Sequence, residues 1–485
     1  MLNEPIRSFP KSLIFLCVAY CAIFFYFYPP ISAVHDEVGF INQTVVWSKL
    51  SISAEGAGFK NVADFVEQNG RHVGFRNPGR SLLNIPIYWL FGLNSLYFFS
   101  AIIHIATALI CAIILKKLQK PPLWAALVLF HPTLSLYSRT IMADELAGLF
   151  LVIAALGYLS NKWRGLLTGM AISCAAITKY YMIIVFIPAG IALFFSTEKQ
   201  NKIRETGYLI LSAIIAVALV VTFNLVSFGS INYPQGYNKI TEIFSINYIT
   251  GNISYYIPAL AVVWPGMIVA PIFDKSKLRL LSVPTIFTVF CFFLIYYFHD
   301  KGTNWFETSV TGQRLIQPIL PLWILSYIFV IDKIFVKYVR NTKICSSIFY
   351  MVCALLLTMQ VFLFSKHQYH LSEMHNIKQE INSIIPSGSL VIVNSSVNKL
   401  FGVIAENDHS YRLHIFSYND ILLDHSVVLQ KETYPWYLAI YTRRDSDTPL
   451  QKIKHYEQKY SVEKIPTNNR SLIIMRGICK EDCMK

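Results

Sequence analysis

Apolar runs close to twenty residues long recur between residues 12 and 364 and then stop. A helix needs about twenty apolar residues to cross a hydrocarbon core of ~30 Å. Most of this chain is therefore committed to a bilayer before any other feature is considered. With 54% hydrophobic and 14% charged residues, and a mean hydropathy of +0.46, the chain is far from the roughly 25% charge of soluble domains. The spacing predicts a polytopic α-helical membrane protein of about eleven spans, near 12–31, 95–115, 121–137, 146–160, 165–178, 182–196, 208–228, 253–273, 280–298, 315–331 and 344–364. An uncharged stretch at 82–91 reads as an interfacial or half-inserted segment.

The formal charge of +14 raises the question of a nucleic-acid partner, and its distribution answers it. Alternate loops starting from the N-terminus carry +12, the opposite loops before Ser365 sum to zero, and the remaining +2 lies in the C-terminal segment. This is the positive-inside pattern of a membrane protein. It places the N-terminus in the cytoplasm and, with an odd number of spans, the C-terminus outside. No nucleic-acid partner is implied. The setting expected is a bacterial inner membrane with a periplasmic C-terminus.

Seven of the nine cysteines lie in or at the edge of apolar spans and read as small packing residues. Cys479 and Cys483 fall outside, where their spacing suits a helix turn as well as a disulfide. Two domains are expected. Residues 1–364 form the transmembrane domain, whose first outer loop, 35–80, holds the reactive acid, and residues 365–485 form a small extracytoplasmic α/β domain. In the loop, Phe40, Val45 and Val46 suit the apolar face of a helix lying on the membrane, anchored by Trp47. In the C-terminal domain the pattern predicts helices at 377–385 and 450–460 and strands at 389–394, 437–441 and 472–475.

Charged side chains gather at the outer ends of the spans: Asp36, Glu37, Arg76, Arg80, Arg139, Asp144, Glu145, Lys179 and Arg314. Carboxylates among several cations suit a reaction in which a base deprotonates a nucleophile and cations stabilise a departing phosphate. Surrounding apolar spans would let that phosphate arrive on a lipid. Each residue also has a plainer reading. Asp36 and Glu37 suit a helix end in the aqueous layer, Arg139 an ion pair with Asp144 or Glu145, Lys179 a snorkelling lysine, and Arg314 an interfacial anchor. His35, His104 and His131 lack a second ligand at helical spacing, so no metal site is expected.

The order of these pieces resembles the GT-C membrane glycosyltransferases, in particular the protein O-mannosyltransferase and lipid A aminoarabinose transferase group. His35-Asp36-Glu37-Val38 is similar to that group's Asp-Glu motif. Asn77-Pro78-Gly79-Arg80, His131-Pro132 with Arg139 and Asp144, Ile177-Thr178-Lys179, and Arg314 with Pro318 and Pro321 follow in the expected order across roughly the first 330 residues. Two departures are Pro78-Gly79 in place of two prolines and Arg314-Leu315 in place of Arg-Tyr. The resemblance implies an inverting glycosyltransferase acting outside the cytoplasm without a cofactor, with a polyprenyl-phosphate-linked sugar as donor and a glycolipid, glycan or protein as acceptor. Carried over, Asp36 with Glu37 is the catalytic acid pair, Arg80, Lys179 and Arg314 hold the donor phosphate, and Arg139 and Asp144 order the site. The alternatives are an O-antigen ligase or polymerase, which would place its key residues in a large late loop, and a glycolipid transporter or flippase, which would place its charges near mid-membrane.

Overall fold

The computed structural model describes residues 11–32, 34–54, 65–68, 70–231, 243–297, 310–338, 342–393, 397, 400–401, 403, 412–415, 436–441 and 461–478. The expected helix at 450–460, residues 479–485 with the two late cysteines, and most of the late outer loop lie outside them. The chain divides into two compact units, one of Met1–Tyr28 with Asn77–Lys366 and another of Pro29–Arg76 with His367–Lys485.

The first unit is helical. It contains α1 (Lys11–Tyr26) and then, after the excursion into the second unit, α3 (Pro78–Phe91) and α4 (Ser95–Lys117). Next come α5 (Ala126–Leu129), α6 (Pro132–Tyr137), α7 (Ala143–Tyr158), α8 (Arg164–Thr178), α9 (Phe186–Ser196) and α10 (Lys199–Phe228). It closes with α11 (Tyr248–Val263), α12 (Ala270–Phe273), α13 (Arg279–Leu294), α14 (Leu320–Tyr338) and the first half of α15 (Thr342–Ile384). Among the described residues, four stretches are long and apolar enough to cross a membrane: Ser95–Lys117, Gln200–Phe228, Gln317–Ile334 and Ser347–Ile384. Lys11–Tyr26, Arg164–Thr178, Tyr180–Ser196 and Arg279–Leu294 are shorter apolar helices. The chain is thus an integral membrane protein.

The third expected span and the helix expected at 377–385 both differ from expectation, each for a local reason. The third, expected at 121–137, is broken into a 3-10 turn (Pro122–Ala125), α5 and α6. Pro132 starts α6 at its first position, where a missing N–H costs nothing, and His131 before it is held extended. The helix expected at 377–385 is the end of α15, which runs 43 residues without interruption. No glycine or proline occurs in its sequence to stop it before Pro386.

The second unit is α/β. It holds α2 (His35–Ser48) and a small antiparallel sheet of β1 (Ser53–Ala54), β2 (Phe65–Gln68) and β3 (Arg71–Gly74), ordered β1-β3-β2. A second sheet contains β4 (Leu390–Val393), β5 (Arg412–Ile415), β6 (Trp436–Tyr441), β7 (Ser461–Ile465) and β8 (Leu472–Ile478), ordered β5-β4-β6-β8-β7. β4 pairs in parallel with β5 and β6, whereas β8 pairs antiparallel with β6 and β7. All six residues of β6 are buried, so both faces of the sheet are covered. On one face Ile31 packs with Leu371, Ile377 and Ile381 of α15 and with Val391, Tyr437 and Leu472.

That packing explains why residues 29–76, expected to go with the membrane helices, cluster with the C-terminal segment. It also corrects the reading of α2 as a helix lying on the membrane. Phe40, Val45, Val46 and Trp47 are all buried within the protein, so the apolar face serves as core.

Candidate functional site

Asp36 lies in the first turn of α2, where an acid is favoured by the helix dipole. Its Oδ1 accepts a hydrogen bond from Arg76 Nη2 at 2.6 Å, and both side chains remain about a quarter exposed. The guanidinium of Arg76 also lies over the rings of Phe40 and Phe75. Gln43, two turns into α2, fixes the backbone that carries Arg76. Its Oε1 accepts the Arg76 N–H at 3.1 Å and its Nε2 donates to the Arg76 carbonyl at 2.9 Å. Gly74 makes this approach possible, since a Cβ there would come within 2.9 Å of Gln43 Oε1. The result is a charge-assisted contact on a rigid support, with the carboxylate still reachable from solvent.

Glu37, expected to share catalysis with Asp36, has a different setting. It is fully buried, and its Oε2 accepts the N–H of Val34 at 2.8 Å while its own N–H donates to the Val34 carbonyl. A Glu at this position reaching back to the residue before the helix satisfies one of the otherwise orphaned donors. Its visible work is to start α2 and so aim Asp36. Replacing Glu37 with Ala is expected to destabilise the fold by about 1–2 kcal/mol. Glu37→Gln, which retains an acceptor oxygen, should recover most of that loss, as read from thermal unfolding midpoints.

In the first unit, Asp144 and Glu145 open α7. Asp144 is buried and lies 3.1 Å from Lys179 Nζ, and Lys179 keeps 20% of its side-chain exposure. Lys179 follows the last residue of α8 and sits in extended backbone between α8 and a 3-10 turn. Glu145 pairs with His104 Nδ1 at 3.1 Å, with both side chains almost wholly buried. His104 Nε2 lies 2.8 Å from the Leu129 carbonyl, so that nitrogen carries a hydrogen. His104 and Glu145 thus form a close buried pair beside the Leu129 carbonyl. This pair is absent from the sequence-based set. His104 lies in the middle of an apolar run 41 positions from Glu145, so no spacing rule links them.

Arg80, expected on the donor phosphate, is fully enclosed at the start of α3. Its Nη2 donates to Ser100 Oγ at 2.6 Å and its guanidinium lies over Phe99. It also bears electrostatically on Glu145, so the two belong to one buried charge cluster. Gly79 beside it explains the departure from a second proline. A Cβ at Gly79 would lie 2.5 Å from Thr178 Oγ1, 2.8 Å from Thr178 Cα and 2.9 Å from its nitrogen. The two short motifs that precede Arg80 and Lys179 are therefore packed backbone against side chain, and only glycine fits between them.

Arg139 departs from its expected ion pair. Its guanidinium is buried, donates to the carbonyls of Phe27 and Phe364, and lies 4.8 Å over the Phe364 ring. It ties the end of α1 to α15, while the carboxylates it was expected to meet are engaged by Lys179 and His104. The backbone of Arg314 sits in a run of turns, its N–H donating to Thr311 and its carbonyl accepting from Gln317. Burial lowers its pKa to about 10, which leaves it cationic at neutral pH. Among the described residues, no three His, Cys, Asp or Glu side chains form a group suited to hold a metal ion.

No protein-family model matches the sequence, and no curated protein does. Solved structures do. The chain superposes on ArnT from Cupriavidus metallidurans bound to undecaprenyl phosphate with a TM-score of 0.62, at 12% identity over 96% of this chain and 98% of that one. The apo state of the same protein matches with a TM-score of 0.59 at 13% identity and the same coverage. The chain therefore shares its fold with ArnT over nearly its whole length.

Proposed function

We propose that this chain, which shares its fold with ArnT, is an inverting membrane glycosyltransferase that moves one sugar from a polyprenyl-phosphate donor to a lipid-linked or other cell-envelope acceptor on the extracytoplasmic face. The observation that carries this reading is the fold match across 96% of the chain to a protein whose structure holds undecaprenyl phosphate. The acid-after-first-span motif, here Asp36 held by Arg76, supports it.

In the proposed reaction the Asp36 carboxylate accepts the proton of the acceptor hydroxyl as that oxygen attacks the sugar C1. The bond between C1 and the phosphate oxygen breaks, its electron pair stays on the phosphate, and polyprenyl phosphate departs. Arg76 orients Asp36 through the charge-assisted hydrogen bond to its Oδ1. Lys179 is suited to the departing phosphate because it is cationic, partly exposed and paired with an acid it can exchange for a stronger anion. Arg314 is assigned the same task. Arg80, Asp144 and the His104–Glu145 pair are assigned the support of Lys179 and of the segment that bears it.

Mass spectrometry of envelope glycolipids from cells with and without the gene tests the reading. One glycolipid species heavier by a single sugar should be lost with the gene, and an unchanged glycolipid profile would overturn the proposal. A finer test concerns Lys179. Lys179→Met alone leaves Asp144 buried beside an apolar side chain, so the double variant Lys179→Met with Asp144→Asn is the cleaner probe. It should raise KM for the polyprenyl-phosphate donor by about tenfold or more, in keeping with one charge-assisted bond of about 1.5–3 kcal/mol, and leave KM for the acceptor nearly unchanged.

A further inference from the structure

At the end of α4 that carries Lys116 and Lys117, three segments of the first unit converge on a cavity of about 670 Å³. Lys117 comes from the last turn of α4 and Lys120 from the turn after it, Lys275 and Lys277 from the loop after α12, and Asp332 and Lys333 from the far end of α14. Five lysines against one aspartate give this cavity a strongly positive wall. It stands apart from every residue assigned above to sugar transfer, and the positive-inside count assigns its face to the cytoplasm.

The acids of this region are occupied in holding the lysine-bearing segments in place. Asp332 lies 2.5 Å from Lys120 Nζ and thereby ties the turn after α4 to α14. Asp274 is buried, accepts the Ser276 N–H at 2.7 Å and the Ser326 hydroxyl at 3.0 Å, and so pins the Lys275–Lys277 loop to the same helix. The turn after α4 is equally defined. Gln119 adopts φ +57°, while the Lys120 N–H reaches back to the Leu115 carbonyl at 2.8 Å. Such a turn usually takes Gly or Asn, so this one is held by its surroundings.

Among the described residues, Lys275, Lys277 and Lys333 have no anionic partner. Like charges fixed around one concave space repel one another, an arrangement that an incoming anion relieves. Beside them the wall is apolar. Phe329 is buried, whereas Phe273 and Ile272 at the end of α12 are largely exposed on a helix of a membrane protein. A phosphate group among lysines, with exposed apolar side chains alongside for acyl chains, is the chemistry of an anionic phospholipid. Basic pockets between transmembrane helices on the cytoplasmic side commonly take such headgroups.

We infer that this cavity is a binding site for the headgroup of an anionic phospholipid of the cytoplasmic leaflet, with Lys275, Lys277 and Lys333 as its phosphate ligands. The site is independent of the sugar-transfer reading and stands or falls separately from it.

Native mass spectrometry of the full-length chain in detergent, titrated with phosphatidylglycerol or phosphatidylcholine, tests this. The wild type should retain one phosphatidylglycerol with at least about tenfold preference over phosphatidylcholine, and the triple variant Lys275→Gln, Lys277→Gln, Lys333→Gln should lose that preference. A control with the same charge removed elsewhere on that face, Lys162→Gln, Lys202→Gln, Arg204→Gln, should keep it. Equal retention of the two lipids by the wild type would overturn the proposal, as would an equal loss in the control. Displacement of the lipid by millimolar inorganic phosphate would also overturn it, since the site would then serve a free anion. Unfolding midpoints of both variants, expected within a few degrees of wild type because the substituted side chains are mostly exposed, establish that the loss is local.

Discussion

Asp36→Asn is expected to lower sugar transfer by about a hundredfold to ten-thousandfold while the protein stays folded and inserted. The substitution keeps the size of the side chain and an oxygen for Arg76 to bond, so the support from Gln43 and Arg76 survives. What it removes is the ability to accept a proton, and general-base catalysis contributes roughly 10²–10⁴-fold. Asp36→Glu is the informative companion. It retains the base but moves it by one methylene away from a position set at 2.6 Å from Arg76, and a shift of about 1 Å costs roughly 10²-fold. Turnover by purified protein, with donor binding measured separately, distinguishes lost chemistry from lost binding. Retained wild-type turnover in Asp36→Asn would remove Asp36 from the chemistry and leave its ion pair with Arg76 as a structural bond.

The second large effect is expected from a residue that carries no chemistry. Gly79→Ala places a methyl group 2.8 Å and 2.9 Å from backbone atoms of Thr178. No rotamer change relieves a clash with backbone, so α3 and the end of α8 must separate. Overpacking of this kind costs about 1–3 kcal/mol. The displaced neighbours are Arg80 on one side and Lys179 on the other, so activity should fall about a hundredfold or more even at temperatures where the variant is folded. Thr178→Ala in the same chain removes only the hydroxyl contact and should not rescue it. Full rescue would mean that the 2.5 Å approach to Thr178 Oγ1 is the whole conflict.

Much of the fold was legible because the bilayer simplifies the problem. Span 95–115 is found as Ser95–Lys117, span 165–178 as Arg164–Thr178, and the strand at 437–441 as Trp436–Tyr441. What the apolar count misses is where a span breaks. The residues 121–137 carry no Asp, Glu, Lys or Arg, yet Pro132 divides them. A period-based reading also missed β5 and β7, edge strands of four and five residues whose sequences mix polar and apolar residues.

The candidate site divides along the same line. Motif order and sidedness picked out Asp36, Asp144 and Lys179, because single charges at span ends are conspicuous in an apolar chain. Pairing was not legible, since it depends on which helices meet. Asp144 takes Lys179 instead of Arg139, and Glu145 takes His104. Glu37 adjoins Asp36 in the same acidic motif, but the rotation of about 100° between successive helical residues sends the two carboxylates to different tasks, one on Val34 N–H and the other on Arg76. Gln43 gave no signal, because its role is to hold the backbone of a residue 33 positions away.

The central claim is sugar transfer from a polyprenyl-phosphate donor, and its most direct measurement follows the donor itself. Purified protein incubated with an undecaprenyl-phosphate-linked sugar and lipid A-type acceptors should release undecaprenyl phosphate and form one product heavier by a single sugar. NMR of that product should show the opposite anomeric configuration to the donor. Donor that stays intact in the presence of every acceptor of this class, with the protein folded and able to bind undecaprenyl phosphate, would contradict the account.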